Sequence, residues 1–211
     1  KGARSQVKWF HDHGYGNAGA TSGHLVPGYE RVLKIGWKGI AADLEERYKV
    51  LGLKEVNGKT GAQLRAMMTA ATLPRELARA YRDLCLQMAD ATDDAPRQQE
   101  LRQMATNLDR VPWEPPRNFW EAIQGLWLNH MLIMSDEGYP GPGVSFGRID
   151  QLLLPFWNAS LDAGEEREDL KEILRCFFIH ANTAYDAMIR TGGNQGITAG
   201  FGQLLTLSGL G

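Results

Sequence analysis

Residues 119–157 read FWEAIQGLWLNHMLIMSDEGYPGPGVSFGRIDQLLLPFW. The stretch opens apolar nearly all round, so a helix from about Asn118 to Met134 must be covered on most sides. It then turns abruptly to Gly and Pro, which fix backbone geometry, before Ser145, Phe146, Arg148 and Asp150. Two charges set between apolar flanks are either paired with each other or turned towards a polar cavity. The run from Ile149 to Trp157 is compatible with a strand or a helix. A loop so specific between two segments that want burial is a tight connector or the wall of a pocket.

Outward from this stretch the pattern is mostly helical. Val32, Leu33, Trp37, Ile40 and Leu44 recur at helical spacing in a segment that ends near Gly52, with Gly36 and Gly39 weakening it. NGKTG (57–61) reads as a turn. A helical pattern follows from Ala62 to Asp90, broken or started at Pro74, with Leu77, Tyr81, Leu84 and Met88 as its apolar face. Asp93, Asp94 and Pro96 mark a helix start, and Leu101, Met104, Ala105 and Leu108 form the next stripe. VPWEPPRNF (111–119) is expected to be an extended connector. Glu168 to Ile189 is amphipathic, and the Gly-punctuated tail from Gly192 suggests a strand or two.

The chain has 211 residues and a formal net charge of -2, so no basic footprint for nucleic acid is present. No run reaches the ~18 to 20 apolar residues of a membrane helix. Only Cys85 and Cys176 are present, which argues against a disulfide framework and for a reducing cytoplasm. The sequon at Asn158 and Ser160 is accordingly accidental. Both cysteines read as small buried hydrophobes. Cys176 and His180 stand one helical turn apart, which permits a thiol–imidazole pair, but their face reads as core. His11-Asp12-His13 could supply metal ligands; without a second cluster of metal spacing it reads as a polar loop. Neither GNAGATSGH (16–24) nor GPGVSFG (141–147) matches a nucleotide-binding fingerprint.

The order of the pieces resembles a family. GHLVPGYERVLKIGWKGI (23–40), RQQELRQMATNLDRVPWEPPRNFWEAIQGLW (97–127), SFGRIDQLLLPFW (145–157) and GFGQLLTLSGLG (200–211) are together similar to blocks of the glycyl radical enzymes, the pyruvate formate-lyase superfamily. The resemblance implies an α/β class: a predominantly helical fragment, 1–211 forming a single partial domain, of a ten-stranded α/β barrel. It implies a lyase, dehydratase or decarboxylase acting on a small organic substrate by thiyl-radical hydrogen abstraction. The glycyl radical would be installed by a radical SAM activating enzyme, with no cofactor bound in this chain, and the assembly would be a cytoplasmic homodimer.

Neither the family's cysteine loop nor its Arg-Val-x-Gly-Tyr motif occurs in these residues, so no catalytic residue is expected here and the chain alone is expected to be inactive. By the same resemblance Ser145 and Phe146 would wall the substrate cavity, with Tyr139, Glu137 and Asp136 as further pocket candidates. His24, Arg148 and Asp150 match positions read as structural. Dehydratase-like members often carry Glu-x-Asn-Gly before the Ser-x-Gly-Arg block; Asp136-Glu137-Gly138-Tyr139-Pro140 departs from it and leaves open an aromatic-substrate decarboxylase, a fumarate-adding enzyme or an uncharacterised lyase. The competing reading is a helical interaction or scaffold domain without chemistry. The all-round apolar helix weighs against it, because it needs more cover than this chain obviously supplies.

Overall fold

The computed structural model describes residues 25–136, 144–189 and 207. Among them are seven helices: α1 (Tyr29–Lys49), α2 (Leu53–Val56), α3 (Lys59–Asp90), α4 (Ala95–Arg110), α5 (Phe119–Asp136), α6 (Ile149–Asp162) and α7 (Arg167–Ile189). No strand occurs among the described residues; an isolated parallel bridge joins Leu25 and Val144. The chain divides into two compact units. One is Gly28–Asn129 with Gln151–Leu174; the other is Lys1–Pro27, His130–Asp150 and Arg175–Gly211.

In the first unit α3 packs against α4 and α1. Its buried residues are Gly61, Ala71, Pro74, Ala78, Cys85 and Ala89, small residues that let neighbouring helices approach closely. Opposite them α4 presents Leu101, Ala105 and Leu108, all buried. The start of α4 follows from its sequence: the Asp94 carboxylate accepts the Arg97 N–H at 3.2 Å, and Pro96 sits where its missing N–H costs nothing.

Gly36 carries φ 65° and ψ 173° inside α1, a region open essentially to glycine alone. A Cβ there would lie 2.3 Å from the Trp113 carbonyl oxygen. The break frees two N–H groups, and both find partners: Trp37 N donates to Pro112 O at 3.1 Å and Lys38 N to Trp113 O at 2.8 Å. The connector after α4 is thus bound to the kink in α1. Arg75 covers the other side of this contact, 4.8 Å from the Trp113 ring.

The α5 N-terminus is held by polar side chains. Asn118 Oδ1 accepts the Glu121 N–H at 2.9 Å, and the Glu121 carboxylate accepts the Arg117 N–H at 2.7 Å. Glu121 is buried, with the Arg117 guanidinium 2.6 Å away. Ser160 on α6 accepts the Phe119 N–H at 3.0 Å and donates to Glu165 at 2.9 Å. Phe119 also meets Trp157 edge to face. Farther along, Gln124 links to α4 through the Asn107 amide and the Met104 carbonyl, and Trp37 donates to Asn129.

Several expectations change. Pro74 neither breaks nor starts a helix: α3 runs through it, because Pro74 lies on the buried face and tertiary packing outweighs the lost hydrogen bond. The stripe Leu77, Tyr81, Leu84 and Met88 is not the buried face; Tyr81, Leu84 and Met88 are exposed while the small residues are covered. Ile149–Trp157 is helix, capped as α6. NGKTG is only partly turn, since α3 begins at Lys59, and the short α2 precedes it. The connector is extended at Val111, but a turn follows, closed by Glu114 N on Arg110 O at 2.8 Å. Cys85 is buried, whereas Cys176 is exposed on α7. The expected terminal strands and the His11-Asp12-His13 cluster lie outside the described residues.

Candidate functional site

The segment between α5 and α6 returns to the described structure at Val144. Val144 is completely buried and Phe146 nearly so, and Ser145 keeps 8% of its surface. The backbone is fixed by Ser145 N donating to Leu25 O at 2.9 Å, across the Leu25–Val144 bridge. Among the described residues the Ser145 hydroxyl makes no hydrogen bond. Gly147 then adopts φ 68°, where a Cβ would come 2.8 Å from Val26 Cγ1. Its carbonyl accepts Ile149 N at 3.0 Å, the turn that opens α6.

Phe146 stacks on His130 of α5, with centroids 4.0 Å apart and planes at 26°. It also meets Phe177 of α7 at 5.0 Å, and Phe177 meets Phe178 at 5.6 Å. This aromatic set buries the His130 ring completely. In sequence His130 stands out only as a polar interruption of an apolar helix; its facing of Phe146 is a tertiary pairing that no local pattern carries.

Arg148 and Asp150 pair with each other in a bidentate contact, Nε to Oδ1 and Nη2 to Oδ2, both at 2.9 Å. The hydrogen bonds it donates to Asp150 raise the guanidinium pKa, so Arg148 is charged at any pH the fold survives. Asp150 also stands in the first turn of α6, where negative charge suits the helix dipole. Of the two alternatives read from sequence, the geometry shows the pair. Of the other expected residues, Glu137, Tyr139 and His24 lie outside the described residues, as does the Asp136 side chain.

Among the described residues no group of His, Cys, Asp and Glu is arranged to hold a metal. Cys85 is buried in α3, where burial pushes its thiol pKa up, and Cys176 lies on an exposed helix face. No helix among the described residues is long and apolar enough to cross a membrane.

With the segment's geometry in view, comparison with known proteins settles its family. The model of the pyruvate formate lyase-like family matches residues 11–209. The chain belongs to that family. Its similarities are to glycyl radical lyases and dehydratases. Isethionate sulfite-lyase of Desulfovibrio desulfuricans is 30% identical over 201 residues, 92% of this chain but 22% of that protein. Indoleacetate decarboxylase of Tractidigestivibacter scatoligenes is 45% identical over 95 residues, 43% of this chain and 10% of that protein.

Among solved structures, the Clostridioides difficile hydroxyproline dehydratase with trans-4-hydroxy-L-proline bound superposes with a TM-score of 0.67 at 29% identity, over 76% of this chain and 20% of that one. A structure describing 1,2-propanediol dehydration in Roseburia inulinivorans gives a TM-score of 0.70 at 27% identity, over 76% and 19%. This pyruvate formate lyase-like chain thus spans about a fifth of the length of the relatives it matches.

Proposed function

We propose that the polypeptide containing this chain is a glycyl radical enzyme of lyase, dehydratase or decarboxylase type, and that residues 144–150 furnish part of its substrate cavity. The family match over residues 11–209 carries this reading. In it the chain contributes outer helices and a share of the wall of a ten-stranded α/β barrel. A glycyl radical supplied elsewhere in the polypeptide, and installed by a radical SAM activating enzyme, does the hydrogen abstraction. The assembly is a cytoplasmic homodimer acting on a small organic molecule.

Ser145 and Phe146 bind substrate in this scheme, Ser145 by a hydrogen bond and Phe146 by apolar contact. Support comes from the segment's rigidity: a bridge, a positive-φ glycine and a bidentate ion pair hold a hydroxyl that no described residue engages. Arg148 and Asp150 are the positioning residues. Glu137 and Tyr139 complete the same wall, and His24 has a structural role. The 45% identity to an indoleacetate decarboxylase over 95 residues and the departure at 136–140 from the dehydratase pattern support testing arylacetates beside sulfonates and hydroxyproline.

The test is anaerobic activation of the full-length polypeptide with its activating enzyme. A glycyl radical signal in electron paramagnetic resonance, followed by turnover of isethionate, indoleacetate, 1,2-propanediol or trans-4-hydroxy-L-proline, is expected. Absence of the radical under conditions that activate a known family member would overturn the proposal.

A further inference from the structure

His130 and Phe146 meet in a way the other described ring pairs do not. Their planes lie 26° apart and their centroids 4.0 Å apart, closer than the about 4.5–7 Å usual for aromatic pairs. Phe119–Trp157, Phe146–Phe177 and Phe177–Phe178 meet at 89°, 59° and 70°, with centroids 5.1, 5.0 and 5.6 Å apart. The His130 imidazole is also completely buried, on a mostly apolar helix. A leucine there would fill the space without a polar ring to take out of water. What leucine lacks is a flat face. The histidine supplies one, and Phe146 lies on it.

The consequence reaches Ser145, whose two neighbours are both anchors. Val144 is completely buried and joined to Leu25 by the bridge, and Ser145 N donates to Leu25 O at 2.9 Å. On the other side the anchor is the Phe146 ring, nearly buried and resting on His130 and Phe177. That ring is only as well placed as the face beneath it. The accuracy matters, because a misplacement of about 1 Å in a group that holds substrate costs up to about 100-fold in rate.

We infer that His130 is a positioning residue of the site: its ring face sets Phe146, and through Phe146 the Ser145 hydroxyl. This rests on the proposed reading of Ser145 as a substrate contact, and adds the residue on α5 that makes the contact accurate.

The test is a double-mutant cycle in the activated full-length polypeptide, with kcat and KM measured on whichever of isethionate, indoleacetate, 1,2-propanediol or trans-4-hydroxy-L-proline it turns over. His130→Leu should lower kcat/KM about tenfold or more, whereas His130→Phe, which keeps a flat face, should stay within about threefold of the parent. In a Ser145→Ala background His130→Leu should cost less than about twofold further, because the group it positions is gone. A histidine that only packs would cost the same in both backgrounds.

No loss with leucine, equal losses with leucine and phenylalanine, or equal losses in the two backgrounds would overturn the inference and leave Ser145 as a substrate contact. A Ser145→Ala variant as active as the parent would overturn the reading of Ser145 itself, and this inference with it. Where His130→Leu takes up no glycyl radical, or no substrate is turned over, amide hydrogen exchange of the unactivated polypeptide decides. Opening confined to residues 144–150 in His130→Leu and absent in His130→Phe would support the role. Opening spread along α5 and α7, or none at all, would overturn it.

Discussion

Two buried serines divide the molecule's polar logic between them. Ser160 is completely enclosed and spends its hydroxyl twice, accepting from Phe119 N and donating to Glu165. Ser145 is nearly as enclosed, yet among the described residues only its backbone is engaged, by Leu25. Around Ser160 every group serves to start α5: Asn118, Glu121 and Arg117 close its first turn. Around Ser145 the described contacts hold the backbone, and no described residue takes the hydroxyl. Burial alone therefore does not separate a structural polar group from a functional one. What separates them is whether the protein itself uses up the hydrogen-bonding capacity.

The largest way to break this comparison is to remove the seat on which Ser145 rests. Phe146→Ala deletes a ring packed on His130 and Phe177, and such truncations cost about 3–5 kcal/mol. Amide hydrogen exchange of residues 144–150 in the full-length polypeptide reads this locally. A rise in local opening of a few kcal/mol is expected, with α3 and α4 unchanged. Unaltered protection would show that the segment is held without its aromatic anchor.

Gly147→Ala comes next. It asks an L side chain to adopt φ 68° and presses its Cβ on Val26, which can shift only in part. A cost of about 1–2 kcal/mol follows from the backbone alone. The same exchange measurement should show loosening at Ser145 and Ile149. Ser160→Ala should cost about 1–2 kcal/mol, because the Phe119 N–H loses its partner in a buried setting. Its signature is different: protection falls at the first turn of α5 and not at residues 144–147.

How much of this was legible in sequence depends on the kind of signal. The α4 start was readable at Asp94 and Pro96, since capping is local chemistry. The α5 helix and its polar interruptions were readable too. The buried face of α3 was not. Periodicity marked the large apolar side chains, whereas close packing against α1 and α4 selected alanines, a cysteine and a proline that carry little hydropathy signal. Gly36 announced itself only as a weakness in a helix; its role at the Trp113 carbonyl depends on a residue far away in the chain. For the site, the pairing of Arg148 with Asp150 was one of two open readings, and the stacking of His130 on Phe146 had no signal in either residue's neighbourhood.

Ser145→Ala is the smallest perturbation of the fold and the sharpest test of the comparison. The substitution removes one oxygen that no described residue binds, so stability should change by less than about 0.5 kcal/mol and exchange at 144–150 should stay as it was. If the hydroxyl meets substrate, kcat/KM of the activated full-length enzyme should still fall, by about tenfold or more, the worth of one hydrogen bond in a water-poor site. Loss of stability together with unchanged kcat/KM would put Ser145 in the same class as Ser160. Loss of kcat/KM on an unchanged fold would mean that this chain fixes the segment as a scaffold and leaves its hydroxyl for the ligand.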